Sequence, residues 1–221
     1  MSIFDKFHYI VVEGPIGSGK TTLARKLADR YSVNLLLENA EANPFLPRFY
    51  QDAPRYSLPT QLFFLFQRSN QIRDLSQRDM FSQATIADFF LEKDPLFARL
   101  NLDDEELALY LQIYQHLQLR VSPPDLVIYL QTPVDALVER VEQRNVSYEQ
   151  DIPREYLARL SDAYSEFFHQ YTASPLLIVN NENLDIAKAD DAAKNDEALD
   201  LLVERIMQMR SSREFFNPNL E

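Results

Sequence analysis

The sequence predicts a three-layer α/β fold in which helices cover both faces of a five-stranded parallel sheet. Five short apolar runs alternate with longer segments of helical periodicity, a pattern typical of a sheet that is buried on both faces. The chain has 221 residues, of which 46% are hydrophobic, and this is enough for one sizeable core. We therefore expect a single domain over residues 1–221.

Glycine usage marks one place in the chain. Average usage near 7% would give about 15 glycines, but the chain has only three, Gly14, Gly17 and Gly19, which follow the first apolar run directly. Helix ends elsewhere must therefore close on other residues that tolerate a left-handed backbone, such as Asn34 and Asn145.

The five apolar runs are assigned to strands. The first run feeds the glycine-rich segment, and the fourth, DLVIYL, is the clearest strand after it. In an open parallel sheet, ligands bind at the carboxyl ends of the strands. The strands are expected at residues 8–13, 33–38, 81–89, 125–130 and 175–179.

The segments between these runs predict helices. One helix begins directly after the glycines, whereas residues 38–56, which carry Pro and Asn, are expected to be mostly loop and short helix. Asp103 is the expected N-cap of one helix, and Thr132 caps another that has Pro133 at its first position. The later helices are expected at residues 58–78, 103–121, 133–144, 153–171 and 196–209.

Charge and composition exclude several classes of protein. The net charge of −12 opposes binding along a nucleic-acid polymer. No cysteine is present, so disulfides and thiolate metal sites are excluded. The sequence shows neither a leader-like N-terminus nor a long apolar span, and we expect a soluble, cytoplasmic protein without membrane contact. The acidic, Ala-rich residues 181–197 favour a solvated insertion, and no role is assigned to the tail, residues 211–221.

Residues 14–21 match G-x-x-x-x-G-K-[ST], a loop that binds nucleotide phosphates between a strand and a helix. Backbone N–H groups at the helix N-terminus surround the phosphates, Lys20 reaches the β- and γ-phosphates, and Thr21 offers its hydroxyl to Mg²⁺. The motif predicts a P-loop NTPase-type fold and an ATP–Mg²⁺ site. Its expected nucleotide-binding residues are Gly14, Pro15, Ile16, Gly17, Ser18, Gly19, Lys20, Thr21 and Thr22.

The loop alone leaves switch GTPases, ATPases and small-molecule kinases open. A regulatory GTPase needs a D-x-x-G switch, which is impossible here because every glycine lies in the loop. A kinase must instead hold an acceptor hydroxyl in line with the γ-phosphoryl group, accept its proton and neutralise charge with cations.

Several motifs in order resemble the deoxynucleoside kinase family, especially its bacterial purine-type members, from residue 9 to about residue 179. VNLLLE ends on Glu38, which matches the family's general base toward the 5′-hydroxyl of the nucleoside. A free glutamate, with a pKa near 4.3, is ionised at neutral pH and can accept that proton. The resemblance implies ATP-dependent 5′-phosphorylation in nucleotide salvage, with deoxyadenosine and then deoxyguanosine as the preferred acceptors.

The resemblance also implies the nucleoside contacts. Tyr50 matches the residue that holds the sugar 3′-hydroxyl, and Gln61 matches the amide that pairs with the base edge, since an amide presents a donor and an acceptor together. Arg68, two helical turns after Gln61, is similar to the arginine beside that amide. Asp94 resembles an acidic residue near the base pocket that accompanies purine or cytosine acceptance.

The stretch QRNVSYEQDIP resembles the family's lid, which we expect over residues 144–151. Arg140 and Arg144 stand four residues apart near a helix end, and the resemblance implies that arginines here close over the phosphates, with Arg144 as the stronger candidate. Glu149 matches the lid glutamate that takes the sugar 3′-hydroxyl from the side opposite Tyr50. Arg and Glu at these spacings also form ordinary surface pairs, so the order of the motifs carries the assignment.

The sequence departs from the family pattern after the third strand. Asp88 can still bind Mg²⁺, directly or through water, and is an expected substrate contact. Phe89 follows it, where many members of the family carry an arginine, and Val146 replaces a second lid arginine. We expect either lower turnover or compensation by another cation: Arg55, Arg68 or Arg144.

Two other classes of function remain open on the sequence. A nucleoside monophosphate kinase, such as a thymidylate kinase, shares the fold, but Glu38 would repel the phosphate of its acceptor. A non-catalytic nucleotide-binding subunit is motivated by the arginine that is missing after Asp88.

The resemblance further implies a homodimer formed through the helix at residues 103–121. The alternative is that the apolar stripe of this helix packs on its own sheet. The stripe falls at helical spacing and comprises Leu107, Leu111 and Tyr114.

Overall fold

The computed structural model describes residues 2–77, 84–117, 123–146, 148–150, 152–182, 184 and 192–218, and only the backbone of 75–77 and 192–195. Within these residues six strands form one parallel sheet in the order β2-β3-β1-β4-β5-β6. The strands are β1 Tyr9–Glu13, β2 Asn34–Leu36, β3 Thr85–Ala87, β4 Leu126–Gln131, β5 Leu176–Asn180 and β6 Arg213–Phe216.

The helices of the described residues alternate with these strands. They are α1 Lys20–Tyr31, α2 Leu46–Phe49, α3 Ala53–Gln77, α4 Asp94–Asn101, α5 Asp104–Leu117, α6 Val134–Arg144, α7 Arg154–Gln170 and α8 Ala192–Gln208. Short 3-10 turns stand at Ile3–Asp5, Ala40–Ala42 and Leu91–Lys93. None of the helices in the described ranges is both long and apolar enough to cross a membrane.

The predicted three-layer α/β architecture is confirmed by the packing on the two faces of the sheet. Neighbouring residues of a strand point to opposite faces. Val12 therefore belongs to the apolar cluster that includes Leu202 of α8 on one face, whereas Val11 belongs to the cluster that includes Leu160 and Phe168 of α7 on the other. Because β1 lies in the middle of the sheet, the glycine-rich loop that follows it emerges at the centre of the carboxyl edge.

The five predicted strands are all present, and the prediction of five strands in total is wrong by one. The sixth strand, β6, lies in the tail and pairs with β5. Phe216 packs into the apolar core, and the Arg213 guanidinium donates to the carbonyls of Phe168, His169 and Tyr171 at the end of α7. These bonds satisfy carbonyl groups that a helix end leaves unpaired. The tail therefore adds the edge strand of the sheet and also caps the C-terminus of α7.

Helices α3, α6 and α8 differ from the prediction at their N-termini, and α8 begins at Ala192 rather than at residue 196. The helix expected from residue 58 begins at Ala53 and contains both Pro54, which the first turn of a helix tolerates, and Pro59. The predicted cap Thr132 is wrong, since α6 begins after Pro133 without a side-chain cap. Thr132 instead accepts a hydrogen bond from Asn181. The expected N-cap Asp103 is confirmed, because its Oδ1 accepts from the Glu106 N–H at 2.9 Å.

Left-handed backbone closes two helices, as the scarcity of glycine requires. Asn145 takes a φ of 52° after α6, as predicted, but the residue that ends α1 is Ser32, with a φ of 53°, and not Asn34. Asn34 is the first residue of β2. The chain turns two residues earlier than the sequence suggested.

The acidic segment is not solvated throughout. Asn181 and Leu184, at its start, are both buried, and α8 begins at Ala192. Residues 183 and 185–191 of the segment lie outside the described residues, as do 147 and 151 of the predicted lid, 81–83 of the third predicted strand and 118–121 of the predicted 103–121 helix.

The apolar stripe of α5 packs on its own chain. Leu107, Leu111 and Tyr114 are partly buried against the cluster that includes Leu65 of α3 and Tyr110 of α5. Helix α5 packs against α3 and α4, and the cluster that its stripe joins also includes Leu36 of β2. Leu109 on the same helix remains exposed.

Candidate active site

A cavity of about 430 Å³ lies at the carboxyl ends of β1, β2 and β3. The residues that line it come from the glycine-rich loop, from the ends of β2 and β3, from α3, and from the segment after α6. The structure thus brings together most of the site residues that the sequence predicts. The cavity is lined, among others, by Ile16, Lys20, Thr21, Glu38, Tyr50, Gln61, Arg68, Asp88, Arg144 and Glu149.

The loop of residues 14–21 is shaped by its glycines. A Cβ at Gly14 would lie 2.6 Å from Ser18 Oγ, and a Cβ at Gly17, whose φ is 85°, would lie 2.9 Å from the Leu137 carbonyl oxygen. Neither position accepts a side chain without displacing its neighbours. Gly19 takes a φ of 85° at the N-terminus of α1, so the backbone N–H groups of the loop meet a helix N-terminus, an arrangement that favours anions.

Asn181 supports this loop from β5. Its Nδ2 donates to the Ser18 carbonyl at 2.6 Å and to Thr132 Oγ1 at 3.2 Å. Arg140 does not line the cavity, and its guanidinium donates to the Asn181 carbonyl at 3.2 Å. The structure therefore places Arg140 behind the glycine-rich loop, where it contacts Asn181, the residue that donates to this loop.

Thr21 and Asp88 bring two oxygen donors together. The Thr21 hydroxyl donates to Asp88 Oδ2, and Asp88 Oδ1 accepts from the Glu38 N–H at 2.7 Å. Asp88 thereby links α1, the end of β2 and the end of β3. Mg²⁺ binds hard oxygen ligands and commonly combines one or two carboxylates with phosphates and water, so this pair fits such an ion.

Lys20 lies at the start of α1 in the wall of the cavity. Burial, together with the charge of nearby Lys93, lowers the pKa of Lys20, whereas Glu13, Glu38 and Asp88 oppose this effect. Positive and negative side chains therefore alternate around the point where the loop meets the cavity. Such a wall can hold both an anionic ligand and a proton acceptor.

Glu38 has a cation on the side of each of its carboxylate oxygens. Arg68 Nε donates to Glu38 Oε1 at 2.6 Å, and a second guanidinium nitrogen of Arg68 also reaches this oxygen. Lys93 Nζ lies 3.6 Å from Oε2. Burial alone would raise the pKa of Glu38, but the charges of Arg68, Lys93 and Lys20 lower it to about 2. Glu38 is consequently an ionised acceptor at neutral pH.

Arg68 connects Glu38 to a second buried carboxylate. Its Nη1 pairs with Asp94 Oδ1, and the ring of Phe64 lies 4.9 Å from the guanidinium carbon. Asp94 is fully buried and does not line the cavity, so it lies behind Arg68. Asp94 Oδ2 has no hydrogen-bond partner within the described part of the chain.

Tyr50 and Gln61 contribute polar groups to the wall of the cavity. Burial, followed by the nearby Tyr156 and Glu149, raises the pKa of Tyr50 well above its ordinary value, so the phenol stays protonated and can donate. The ring of Tyr156 packs edge-on against Tyr50. Gln61 is buried on α3 and lies on the same face of this helix as Arg68.

The predicted lid residues Arg144 and Glu149 meet over the cavity. Arg144 Nη1 donates to both oxygens of Glu149, at 3.1 and 3.3 Å. The Arg144 side chain is 54% exposed, whereas that of Glu149 is largely buried. Val146 and Tyr148 also line the cavity. The pair is therefore a contact that a ligand in the cavity can replace.

Lys93, which lines the cavity, and Glu13, which pairs with it, were not predicted from the sequence. Lys93 Nζ lies 3.0 Å from Glu13 Oε1, and both side chains are buried. Of the cations expected to compensate for the missing arginine, Arg68 and Arg144 line the cavity, but Arg55 does not and packs on the Tyr56 ring. The available signal was small: a Glu that closes an apolar strand and a Lys five residues after Asp88.

Comparison with known proteins agrees with this geometry. Residues 10–203 match the deoxynucleoside kinase family. A deoxyguanosine kinase of Bacillus subtilis is 34% identical over 173 residues, which cover 77% of this chain and 84% of the relative. A deoxyadenosine kinase of Lactobacillus acidophilus is 30% identical over 200 residues, covering 84% of this chain and 91% of the relative. The structure of deoxyadenosine kinase from M. mycoides with bound dCTP has a TM-score of 0.76 at 25% identity and covers 91% of this chain and 100% of its own.

Proposed function

The chain belongs to the deoxynucleoside kinase family and is a deoxynucleoside kinase, and we propose that it uses ATP with Mg²⁺ to phosphorylate the 5′-hydroxyl of purine deoxynucleosides. Deoxyadenosine is the first proposed acceptor and deoxyguanosine the second. The observation that carries the mechanism is the clamped, ionised Glu38, which lines one cavity together with Lys20. Relatives named for deoxyguanosine and for deoxyadenosine support a purine acceptor.

Glu38 is the proposed general base. As the 5′-oxygen of the nucleoside bonds to the γ-phosphorus, its proton passes to Glu38, and the bond from this phosphorus to the β–γ bridging oxygen breaks to release ADP. Arg68 holds Oε1 of Glu38. Oε2 is therefore the oxygen that we assign to the incoming proton.

The glycine-rich loop and Lys20 are the proposed phosphate site. The loop runs directly into the N-terminus of α1, where backbone N–H groups without a partner inside the helix attract phosphate oxygens, and the Lys20 ammonium supplies a positive charge at the same place. Thr21 and Asp88 would hold Mg²⁺, which neutralises phosphate charge when it is bound. Arg144, on the lid side of the cavity, would add charge on the opposite side of the phosphates.

The remaining polar side chains of the cavity suit a deoxynucleoside. We assign Gln61 to the base edge, because a buried amide offers one donor and one acceptor face. Tyr50 donates from its protonated phenol to the sugar 3′-hydroxyl, and Glu149 accepts from that hydroxyl once Arg144 turns to the phosphates. Asp94 acts through Arg68, whose guanidinium it holds in the cavity wall.

A monophosphate acceptor fits this cavity less well. Its 5′-phosphate would have to lie beside the Glu38 carboxylate, and like charges at that distance repel. The nearby cations Arg68 and Lys93 are already paired with carboxylates. The geometry therefore favours a nucleoside over a nucleoside monophosphate.

We also propose a homodimer formed through the α3–α5 layer. Its support is that Phe66 and Leu109, two of the four large exposed apolar side chains of the described residues, lie on α3 and α5, and that exposed apolar surface marks candidate interfaces. Light scattering is expected to give twice the monomer mass, and Leu109→Lys is expected to give the monomer. A monomeric wild-type protein would contradict the proposed dimer but would not bear on the proposed kinase activity.

The proposed activity is tested by incubating the protein with ATP, Mg²⁺ and each of the four deoxynucleosides in turn. Chromatography separates nucleoside from 5′-monophosphate. We expect deoxyadenosine or deoxyguanosine to be converted faster than thymidine. Failure to form any monophosphate, although ATP binds, would contradict the proposal.

A further inference from the structure

Lys93 is a buried cation in the wall of the active-site cavity. It ends the 3-10 turn Leu91–Lys93 between β3 and α4, and its residue exposure is 1%. Its Nζ lies 3.0 Å from Glu13 Oε1 and 3.6 Å from Glu38 Oε2. A buried ammonium is costly unless it is paired, and this one joins a strand-end carboxylate to the proposed catalytic base.

Glu13 holds its position without help from Lys93. Its Oε2 accepts from the Gly14 N–H and the Tyr164 hydroxyl, both at 3.1 Å, and its Oε1 accepts from the Phe90 N–H at 3.2 Å. Three donors from three elements thus fix this carboxylate next to the glycine-rich loop. Glu13 is therefore a rigid point on which the Lys93 ammonium is placed.

Lys93 faces the part of the cavity where the reaction takes place. It lines the cavity together with Lys20, Glu38 and Asp88. After burial, the charge of Lys93 is the next largest cause that lowers the pKa of Lys20. Glu38 has Arg68 on Oε1 and Lys93 on the side of Oε2. A carboxylate that is held at one oxygen can still rotate about its Cγ–Cδ bond, and a cation at the second oxygen restricts that rotation.

We propose that Lys93 is a positioning residue for phosphoryl transfer, anchored on Glu13, that orients Glu38 Oε2 toward the acceptor hydroxyl and places a second ammonium beside Lys20. An ammonium has three N–H donors, so Lys93 can bridge Glu13 and Glu38 and still donate once more toward the cavity. This inference rests on the proposed function, because it assigns Lys93 a part in that reaction. Lys93 thereby supplies a cation near Glu38 even though Phe89 stands after Asp88, where many members of the family carry an arginine.

The competing explanation is that Lys93 only neutralises the buried charge of Glu13. Lys93→Met alone does not separate the two, because it leaves Glu13 uncompensated and destabilises the fold. The double variant Glu13→Gln/Lys93→Met removes both charges, and replacing a buried ion pair by neutral groups is often tolerated. Lys93→Arg keeps the charge. Lys6→Met is the matched control, because Lys6 Nζ donates to the Met207 and Met209 carbonyls away from the cavity.

The experiment measures kcat, the KM for deoxyadenosine, the KM for ATP and the thermal unfolding midpoint for these variants and the wild type. We expect the double variant to unfold at a higher temperature than Lys93→Met, with a kcat about 100-fold below wild type and a KM for ATP within about threefold of it. Lys93→Arg is expected to recover most of the kcat. Lys6→Met is expected to lower only the unfolding midpoint.

Two results would overturn the proposal. A double variant with a kcat within about threefold of wild type would show that Lys93 serves Glu13 alone, and a Lys93→Arg variant no better in kcat than Lys93→Met would show the same if the double variant failed to fold. Failure of the proposed function is distinguishable, because the wild type itself would then phosphorylate no deoxynucleoside, and the role of Lys93 would fall with it.

Discussion

Arg68 Nε donates to Glu38 Oε1 at 2.6 Å, and both side chains belong to the wall of one cavity. Arg68 also pairs with Asp94, so one guanidinium connects a carboxylate at the reacting end of the cavity with a carboxylate in the interior. Any ligand that displaces Arg68 also changes the environment of Glu38. If Glu38 is the base, as proposed, then recognition of the nucleoside and activation of its hydroxyl are coupled through this side chain.

The pH dependence of activity follows from this ion pair. Because the pKa of Glu38 is lowered to about 2 from 4.5, its ionised form contributes stability above pH 4.5 and loses it only as the pH falls toward 2. Glu38 should thus give no acid limb in kcat/KM near neutral pH. In Arg68→Met, burial raises the pKa and its main opposing charge is gone, so we expect an acid limb at higher pH than in the wild type.

Arg68→Lys is the control for that shift, because it keeps a positive charge beside Glu38. Its acid limb is expected to lie between those of the wild type and Arg68→Met. Profiles of kcat/KM that are superimposable in all three proteins would show that Arg68 does not set the ionisation of Glu38.

Asn181 is expected to control ATP binding although it lies outside the glycine-rich loop. Asn181→Ala removes the donor to the Ser18 carbonyl, and an unpaired buried carbonyl costs about 1–3 kcal/mol. We expect a higher KM for ATP, an unchanged KM for deoxyadenosine and a lower unfolding midpoint. Thr132→Val is the matched control: it removes only the second, 3.2 Å contact of Asn181 and should have a clearly smaller effect on the KM for ATP.

The lid pair should matter for turnover but little for stability. Arg144 is 54% exposed, and an exposed ion pair contributes about 0–1 kcal/mol, so Arg144→Met should unfold within about 1 kcal/mol of the wild type. Its kcat should fall about 100-fold, since a cation aimed at the phosphates is lost. Arg154→Met provides the comparison, because Arg154 is 57% exposed and pairs with Asp135 outside the cavity. Equal turnover in the two variants would remove Arg144 from the mechanism.

The sixth strand gives a prediction about stability from two adjacent residues. Phe216 is 4% exposed in the core, whereas Phe215 is 67% exposed. Phe216→Ala should lower the free energy of unfolding by about 3 kcal/mol, and Phe215→Ala should change it by no more than about 0.5 kcal/mol. Urea unfolding of both variants measures the difference. Similar values for the two would mean that β6 does not pack as described.

The sequence predicted those parts of the site that lie close together in the chain. Gly14, Gly17 and Gly19 shape one short loop, and Lys20 and Thr21 follow it directly, so the spacing alone predicts that all five lie together. Glu38, Tyr50, Gln61 and Arg68 were reached through the family resemblance, and the structure places all four in the wall of one cavity. Their individual roles in catalysis and binding stay predictions that the variants above address.

The residues that the sequence did not indicate make their contacts with residues that are far away along the chain. Lys93 and Glu13 are 80 positions apart, and nothing near either of them shows that their side chains are buried together. In the sequence Asn181 resembles the start of a polar loop, and only the structure shows that its side chain donates to the Ser18 carbonyl. The four residues of β6 have too little pattern of their own, since their strand depends on pairing with β5.

The measurement that tests the account most directly compares Glu38→Gln with the wild type in steady-state phosphorylation of deoxyadenosine and in deoxyadenosine binding by isothermal titration. The amide keeps the shape of the side chain and an oxygen for Arg68 but cannot serve as the proton acceptor. We expect kcat to fall by about 10²–10⁴-fold while the dissociation constant stays within about tenfold of the wild type. Retained turnover in Glu38→Gln would contradict the assignment of Glu38 as the base and, with it, the mechanism built on the Glu38–Arg68 pair.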